Sequence, residues 1–350
     1  MKKYGVGVVG CGNISDIYLT NISQMFDNLQ LIGVADLIPS KANAKAEKYA
    51  STVYSTDALM AHPDVDIILN ITTPKTHREV CEMALNAGKH VYVEKPLSLT
   101  IEDGQFLIDL AKEKGLSIGG APDTFLGSGI QTCIKIIEDG WIGDIIGCNA
   151  FMLCHGHESW HPDPEFYYQH GGGPMYDMGP YYLTALAKLV GPIDLVAGMT
   201  KKSFNTRTIT SEAKNGQVID VEVPTHVTSM LRFENGAMGY ITTSFDVWGA
   251  NLPKIEIYGT KGTLSVPDPN TFGGPIMLMT ANDKEFREIP LLFDHKENSR
   301  AYGISDMAKA IESGSQAQAS GALTYHVLET MAAIHKSWET QTFIPIKSRF

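Results

Sequence analysis

The sequence predicts an α/β domain with a doubly wound parallel sheet, followed by an α+β domain on a large, mostly antiparallel, open-faced β-sheet. Three observations predict this. Short apolar runs alternate with helical patterns over the first third of the chain, as in a doubly wound parallel sheet. A glycine-rich turn, Gly10-Cys11-Gly12, directly follows the first run. After about residue 122 the pattern changes to longer strands with hairpin turns between them.

The elements follow in order. Residues 4–10 (YGVGVVG) read as a buried strand, and the glycine turn after it opens a helix. Strands are expected at 29–36, 65–71, 90–94 and 116–120, with helices at 40–49, 76–87 and 101–114. Gly88 and Gly115 stand where C-caps belong. Further on, helices are expected at 129–138 and 175–189. Strands are expected at 145–154, 195–201, 226–233, 237–245, 254–259, 262–266 and 275–280. Asn235-Gly236 between two strand runs is a hairpin signal, and Gly259 to Gly262 is a second turn. Helices at 305–311 and 322–338 close the chain. The expected domains are 1–122 for dinucleotide binding and 123–350 for substrate binding and oligomerisation. The last helix is free to pack back on the first domain.

Length and composition agree with two soluble domains: 350 residues, 43% hydrophobic and 19% charged. A net charge of -11 disfavours nucleic acid and anionic membranes as partners. No apolar run reaches the 18 or so residues of a membrane span. Gly10 interrupts the run after Met-Lys-Lys, which therefore reads as a strand and not as a signal peptide. Cys11, Cys81, Cys133, Cys148 and Cys154 are odd in number and lack a C-x-x-C pair, as expected of reduced thiols in a cytoplasmic protein.

In Gly10-Cys11-Gly12-Asn13-Ile14-Ser15, the first glycine permits the turn and the second admits a pyrophosphate. The helix N-terminus offers N–H groups to its phosphates. Ser15 replaces the third glycine. Asp36 ends the second strand, where a carboxylate accepts from ribose hydroxyls and repels a 2′-phosphate. Leu37 and Ile38 follow, with no Arg for such a phosphate, so NAD is expected over NADP.

Two further segments narrow the reading. One is Thr72-Thr73-Pro74-Lys75-Thr76-His77; the other runs from Ala87 to Leu97 and contains Glu94-Lys95-Pro96. Together they resemble the Gfo/Idh/MocA family, which includes glucose–fructose oxidoreductases and inositol dehydrogenases. The resemblance extends over essentially the whole chain, including Gly171-Gly172-Gly173 and Ala319-Ser320-Gly321. It implies that Thr72, Thr73, Pro74, His77, Glu94 and Lys95 border the cofactor. It also implies that Lys95 sits beside the nicotinamide and the substrate hydroxyl, where an ammonium stabilises a developing alkoxide. The family commonly has Asp followed four residues later by His. Here Asp177 matches and position 181 is Tyr, as in its glucose–fructose oxidoreductase and dimeric dihydrodiol dehydrogenase branches. Residues four apart share a helix face, but Pro180 lies between them, so Tyr182 competes with Tyr181 for the site.

Lys95, Asp177 and Tyr181 are thus the expected catalytic residues. Asp123, Trp160 and His161 join them as expected substrate contacts. Three histidines and Glu158 crowd residues 155–161. Sugar recognition, with Trp160 stacking on a ring, is preferred there over a metal site, and no metal is expected. The expected activity is NAD-dependent hydride transfer at a hydroxyl-bearing ring carbon of a sugar, glycoside or cyclic polyol. The alternatives are an NAD-dependent glycoside hydrolase working by transient oxidation and elimination, and a non-catalytic NAD-binding ligand sensor. A homodimer or homotetramer through the second domain's sheet is expected.

Overall fold

The computed structural model describes residues 2–350. The chain divides into two compact units. The first unit begins with β1 (Tyr4–Val9), α1 (Ser15–Gln24), β2 (Leu29–Ala35), α2 (Pro39–Lys48), β3 (Thr52–Val53) and α3 (Thr56–Met60). It continues with β4 (Ile67–Asn70), α4 (His77–Asn86), β5 (His90–Val93), α5 (Ile101–Glu113) and β6 (Ile118–Gly120). The six strands form one parallel sheet in the order β3-β2-β1-β4-β5-β6. That order reverses between β1 and β4, the switch point at which open α/β sheets bind ligands. β1 is buried along its whole length, as a strand covered by helices on both faces must be.

The second unit spans Gly127–Lys296 and Glu329–Arg349. It contains α6 (Ser128–Glu138), β7 (Ile145–Leu153), α7 (Pro174–Leu189), β8 (Ile193–Lys201), β9 (Thr206–Thr208) and β10 (Val218–Asp220). β11 (His226–Phe233), β12 (Met238–Ser244), β13 (Ile255–Gly259), β14 (Gly262–Val266), β15 (Ile276–Thr280) and β16 (Arg287–Ile289) follow. After α8 (Tyr302–Ser313) and α9 (Gly321–Thr340), β17 (Ile344–Pro345) completes a nine-stranded sheet. Its order is β16-β15-β14-β13-β7-β12-β11-β8-β17, and β7–β12 is its one parallel pair. The expected hairpin is present. Gly236 takes φ +86° and Phe233 N–H donates to Ala237 O at 2.9 Å. β9 and β10 form a separate two-stranded ribbon.

The first unit is not one continuous stretch of chain. It runs to Leu126 and takes in Glu297–Leu328 and Phe350, whereas residues 1–122 are its extent as read from sequence. Two asparagines account for this. Asn21 Nδ2 donates to Asn298 O at 2.9 Å and to Arg300 O at 2.8 Å, and Asn28 Nδ2 donates to Ser305 O at 3.0 Å. Periodicity carries no trace of such long-range side-chain bonds.

Candidate active site

In the first unit the chain leaves β1 through Gly10 at φ +106°. A Cβ there would lie 2.6 Å from Ile71 O, so only glycine fits. A Cβ on Gly12 would meet nothing within 4 Å, so the outer side of the turn is open to a ligand. No side chain caps α1. Ser15 N–H bonds Gly12 O at 3.1 Å, and the N–H groups after it keep the anion-binding character of a helix N-terminus, so the turn fits a dinucleotide pyrophosphate. Asp36 braces this turn. Oδ2 accepts from Cys11 N–H at 2.7 Å and Oδ1 from Ile38 N–H at 2.8 Å. Burial, and then Asp36, push the Cys11 thiol up to about 11. Of the three α2 lysines, Lys41, Lys45 and Lys48, the last two bind Asp16 at 2.8 and 3.0 Å.

The loop after β4 is organised by Asn70, which is fully buried. Its Oδ1 accepts from Thr72 Oγ1 at 2.7 Å and its Nδ2 donates to His77 O at 3.0 Å. His77 is also fully buried. Its Nδ1 lies 2.7 Å from Pro96 O and its Nε2 3.2 Å from Thr72 O. Burial lowers its pKa, and a neutral ring donates from one nitrogen only. The shorter contact assigns that proton to Nδ1. His77, expected at the cofactor, instead clasps the Thr72 loop to the segment leaving β5. Thr72, Thr73 and Pro74 form the loop's rim.

Glu94 and Lys95 follow β5 directly, at the carboxyl edge of the sheet. Glu94 is buried, and both its oxygens have partners. Tyr18 Oη donates to Oε1 at 2.7 Å and Lys95 N–H to Oε2 at 3.0 Å. Glu94 therefore positions Lys95 through the main chain, and the Lys95 side chain is half-buried. Burial, and then the Glu94 charge, raise the Tyr18 pKa well above its usual value, which keeps it a donor. Neither Tyr18 nor Asn70 can be picked out from the sequence, because each lies inside an ordinary apolar helix or strand pattern.

Asp123 corrects an expectation. It is 1% exposed and accepts from Gly303 N–H at 3.0 Å, in the first turn of α8. Its carboxylate caps a helix inside the first unit and offers no surface to a substrate. Burial raises its pKa to about 6.

In the second unit, β7 delivers a loop carrying His155, His157, Trp160 and His161. Gly156 at φ +78° is required there, since a Cβ would lie 2.2 Å from Tyr168 Oη. Glu158 anchors the loop. It accepts from Tyr168 Oη at 2.6 Å and pairs with the buried Arg207 at 3.1 Å. The three histidines diverge. His155 stacks on Trp248 with centroids 3.4 Å apart. His157 Nε2 lies 3.3 Å from Asp177 Oδ2. His161 Nδ1 accepts from Asp163 N–H at 3.0 Å, and burial lowers its pKa. Among the described residues no three His, Cys, Asp or Glu side chains gather to hold a metal ion.

Gly172 and Gly173 turn the chain into α7. Gly173 takes φ +86°, and its N–H donates to Tyr167 O at 2.7 Å. Asp177 lies in the first turn of α7, where the helix dipole favours a carboxylate. α7 continues through Pro180. Tyr181 and Tyr182 are both buried, at 7% and 1% exposure, and burial raises the Tyr182 pKa. Trp160 is 61% exposed and stands edge-on to both His157 and His161. Asp177, His157, His161 and Trp160 are thus neighbours.

The family model for an oxidoreductase family with an NAD-binding Rossmann fold matches residues 4–119, and the Gfo/Idh/MocA C-terminal domain model matches residues 130–265. The chain belongs to the Gfo/Idh/MocA family. It is similar to a myo-inositol 2-dehydrogenase of Thermotoga maritima, 25% identical over 74% of each chain. The D-glucoside 3-dehydrogenase of Escherichia coli K12 is 23% identical over 97% of each chain. A levoglucosan dehydrogenase solved with NADH superposes with a TM-score of 0.83, covering 99% of this chain and all of that one at 23% identity. This chain is an NAD-binding oxidoreductase with the fold of that family. Among the described residues no helix is long and apolar enough to cross a membrane.

Proposed function

We propose that the protein oxidises a hydroxyl-bearing ring carbon of a sugar, glycoside or cyclic polyol, with NAD as hydride acceptor, and catalyses the reverse reduction. The observation that carries the reading is the placement of Lys95. It leaves β5 at the carboxyl edge of the parallel sheet, with its backbone held by Glu94. β5 adjoins β4, and β4 adjoins the strand that ends in the glycine turn. The names of the inositol and glucoside relatives point to the same substrate class.

In this reading the first unit holds the dinucleotide and the second the substrate. Gly10, Cys11, Gly12, Asn13 and Ile14 cradle the pyrophosphate, and Asp36 binds the adenosine ribose, favouring NAD over NADP. Thr72, Thr73 and Pro74 border the cofactor, while His77 and Glu94 hold that border in shape. The nicotinamide, when bound, takes the hydride. The Lys95 ammonium stabilises the alkoxide as the hydroxyl proton leaves. Asp177 orients the hydroxyl and Tyr181 exchanges its proton. Trp160 and His161 present an aromatic edge and an imidazole to the ring.

The test is NADH formation at 340 nm over a panel of polyols and glycosides. Lys95→Met should lower kcat by about 10²–10⁴-fold, with a much smaller change in NAD affinity. Wild-type turnover in that variant, or aglycone release without net NADH, would sink the assignment.

We also infer a homo-oligomer through the open face of the nine-stranded sheet. Met199, Met230 and Met238 on that sheet are 57–68% exposed, and Tyr240 is cross-strand from Met230. Light scattering should give a dimer or tetramer, and a monomer at micromolar concentration refutes it. We place the protein in the cytoplasm, since its five cysteines are unpaired. A tagged chain recovered outside the cytoplasm counts against that.

A further inference from the structure

We propose that His157 is a positioning residue that sets the orientation and basicity of Asp177, so that the two work as one unit. The proposal rests on the dehydrogenase reading above and assigns a role to a residue outside it. His157 Nε2 lies 3.3 Å from Asp177 Oδ2, with both side chains largely out of solvent, at 10% and 15% exposure. The imidazole is walled by aromatic rings: Tyr167 at 4.1 Å, Phe245 at 4.6 Å and Trp160 at 5.3 Å. These rings restrict its rotation and aim Nε2 at the carboxylate. The loop itself is tied down by the ion pair of Glu158 with Arg207. A side chain held this firmly, with one nitrogen on a carboxylate in the first turn of α7, is built to act through that carboxylate.

A neutral imidazole with its proton on Nε2 donates to Asp177 and leaves the carboxylate charged and oriented. Protonation at Nδ1 places a full positive charge beside it. The carboxylate then becomes a poorer acceptor for a hydroxyl hydrogen. In the oxidation direction the C–H electron pair leaves as hydride to the nicotinamide of NAD, the O–H bond breaks and a carbonyl forms. The proton is released from the hydroxyl, and a carboxylate engaged by an imidazolium holds that hydroxyl less firmly for the transfer. The rate of oxidation should therefore be lower with the His157 ring protonated than with it neutral. The other ionisable groups facing the pair are His161 and Cys154 of the same loop and Tyr167 of the following turn. Tyr168 and Glu158 lie beyond them and are bonded to each other.

The experiment is the pH profile of kcat and KM for the holoenzyme with NAD and a polyol found active. His157→Gln keeps an N–H donor and cannot titrate. It should retain kcat at alkaline pH within a few-fold and lose the acid limb. His157→Ala should lose about tenfold or more in kcat with little change in KM. Combined with Asp177→Asn it should cost no more than Asp177→Asn alone. Should the alanine variant fail to fold in a thermal melt, His157→Asn takes its place in that cycle. An acid limb unchanged in His157→Gln, or additive losses in the cycle, overturns the proposal while the dehydrogenase reading stands. Absence of wild-type turnover on every sugar and polyol overturns that reading and this one with it.

Discussion

Asp36 and Glu158 each hold a loop of the candidate site, one in each unit, and they do so by different means. Asp36 is half-buried and uses two backbone N–H groups from Cys11 and Ile38, both on segments that the parallel sheet already brings together. Glu158 is buried and depends on two side chains, Tyr168 and Arg207, the second of them 49 residues away on a ribbon outside the main sheet. Arg207 also bonds Asp246 and donates to Phe245 O at 2.7 Å. A backbone brace tolerates change in the sequence around it. A buried ion cluster fails if one member is removed, because the remaining charges are left in a medium that solvates them poorly.

The largest effect should therefore come from breaking the second kind of anchor. Arg207→Ala strands Glu158 and Asp246, both buried, and should cost roughly 3–5 kcal/mol. A urea melt of the variant measures this. A loss below 1 kcal/mol would mean that water reaches the cluster, and that the loop is held mainly by the bonds from Thr210 and Ser211 N–H to Glu158 O.

The next effect concerns a buried carboxylate whose burial outweighs the nearby Arg300 charge. Asp123 has its pKa raised to about 6 by burial, against an ordinary 3.8. Between those values the folded chain keeps a proton on Asp123 that the unfolded chain has lost. Stability from this group therefore falls as pH rises from about 4 to about 6, and is level above that. The size is about 2–3 kcal/mol. Asn at this position keeps an oxygen for Gly303 N–H and stays neutral. Asp123→Asn should gain on the wild type in melting temperature as pH goes from 4 to 7. A constant difference across that range would show that Asp123 stays ionised in the fold.

The same contrast explains which parts were legible in the sequence. The parallel sheet, the glycine turn and the Glu94-Lys95-Pro96 edge are local patterns, and the structure places them where residue order says. α3, β3, β9, β10, β16 and β17 are not expected from the sequence. They are two to five residues long, too short to show a period. Asp123 was misread because its place after a Rossmann strand suggests the ligand crevice, whereas its partner Gly303 lies 180 residues away. His155, His157 and His161 look equivalent in sequence. Only the path of the loop, fixed by Gly156, Glu158 and Arg207, sends one to Trp248, one to Asp177 and one to its own backbone.

The smallest effect on stability, and the most specific in function, should come from the backbone brace itself. Asp36→Ala removes the acceptor for Cys11 and Ile38 N–H. Ile38 N–H lies near solvent, where water replaces its bond, whereas Cys11 is buried and its N–H loses a partner, so stability should drop by about 1 kcal/mol. Cofactor choice should change more. The carboxylate both accepts from ribose hydroxyls and repels a 2′-phosphate. Its loss should weaken NAD and strengthen NADP, moving the ratio of their affinities by about tenfold or more, equal to about 1.4 kcal/mol. On the NADP side Lys45 and Lys48 are held by Asp16 and Leu37 offers no hydrogen bond, which leaves Lys41 as the α2 lysine nearest in sequence to Asp36. Adding Asp16→Ala to Asp36→Ala should release Lys45 and Lys48 and extend the shift towards NADP. Titration of both dinucleotides against the wild type and the two variants measures it. An unchanged ratio in Asp36→Ala would mean that Asp36 serves the turn alone and never meets the ribose.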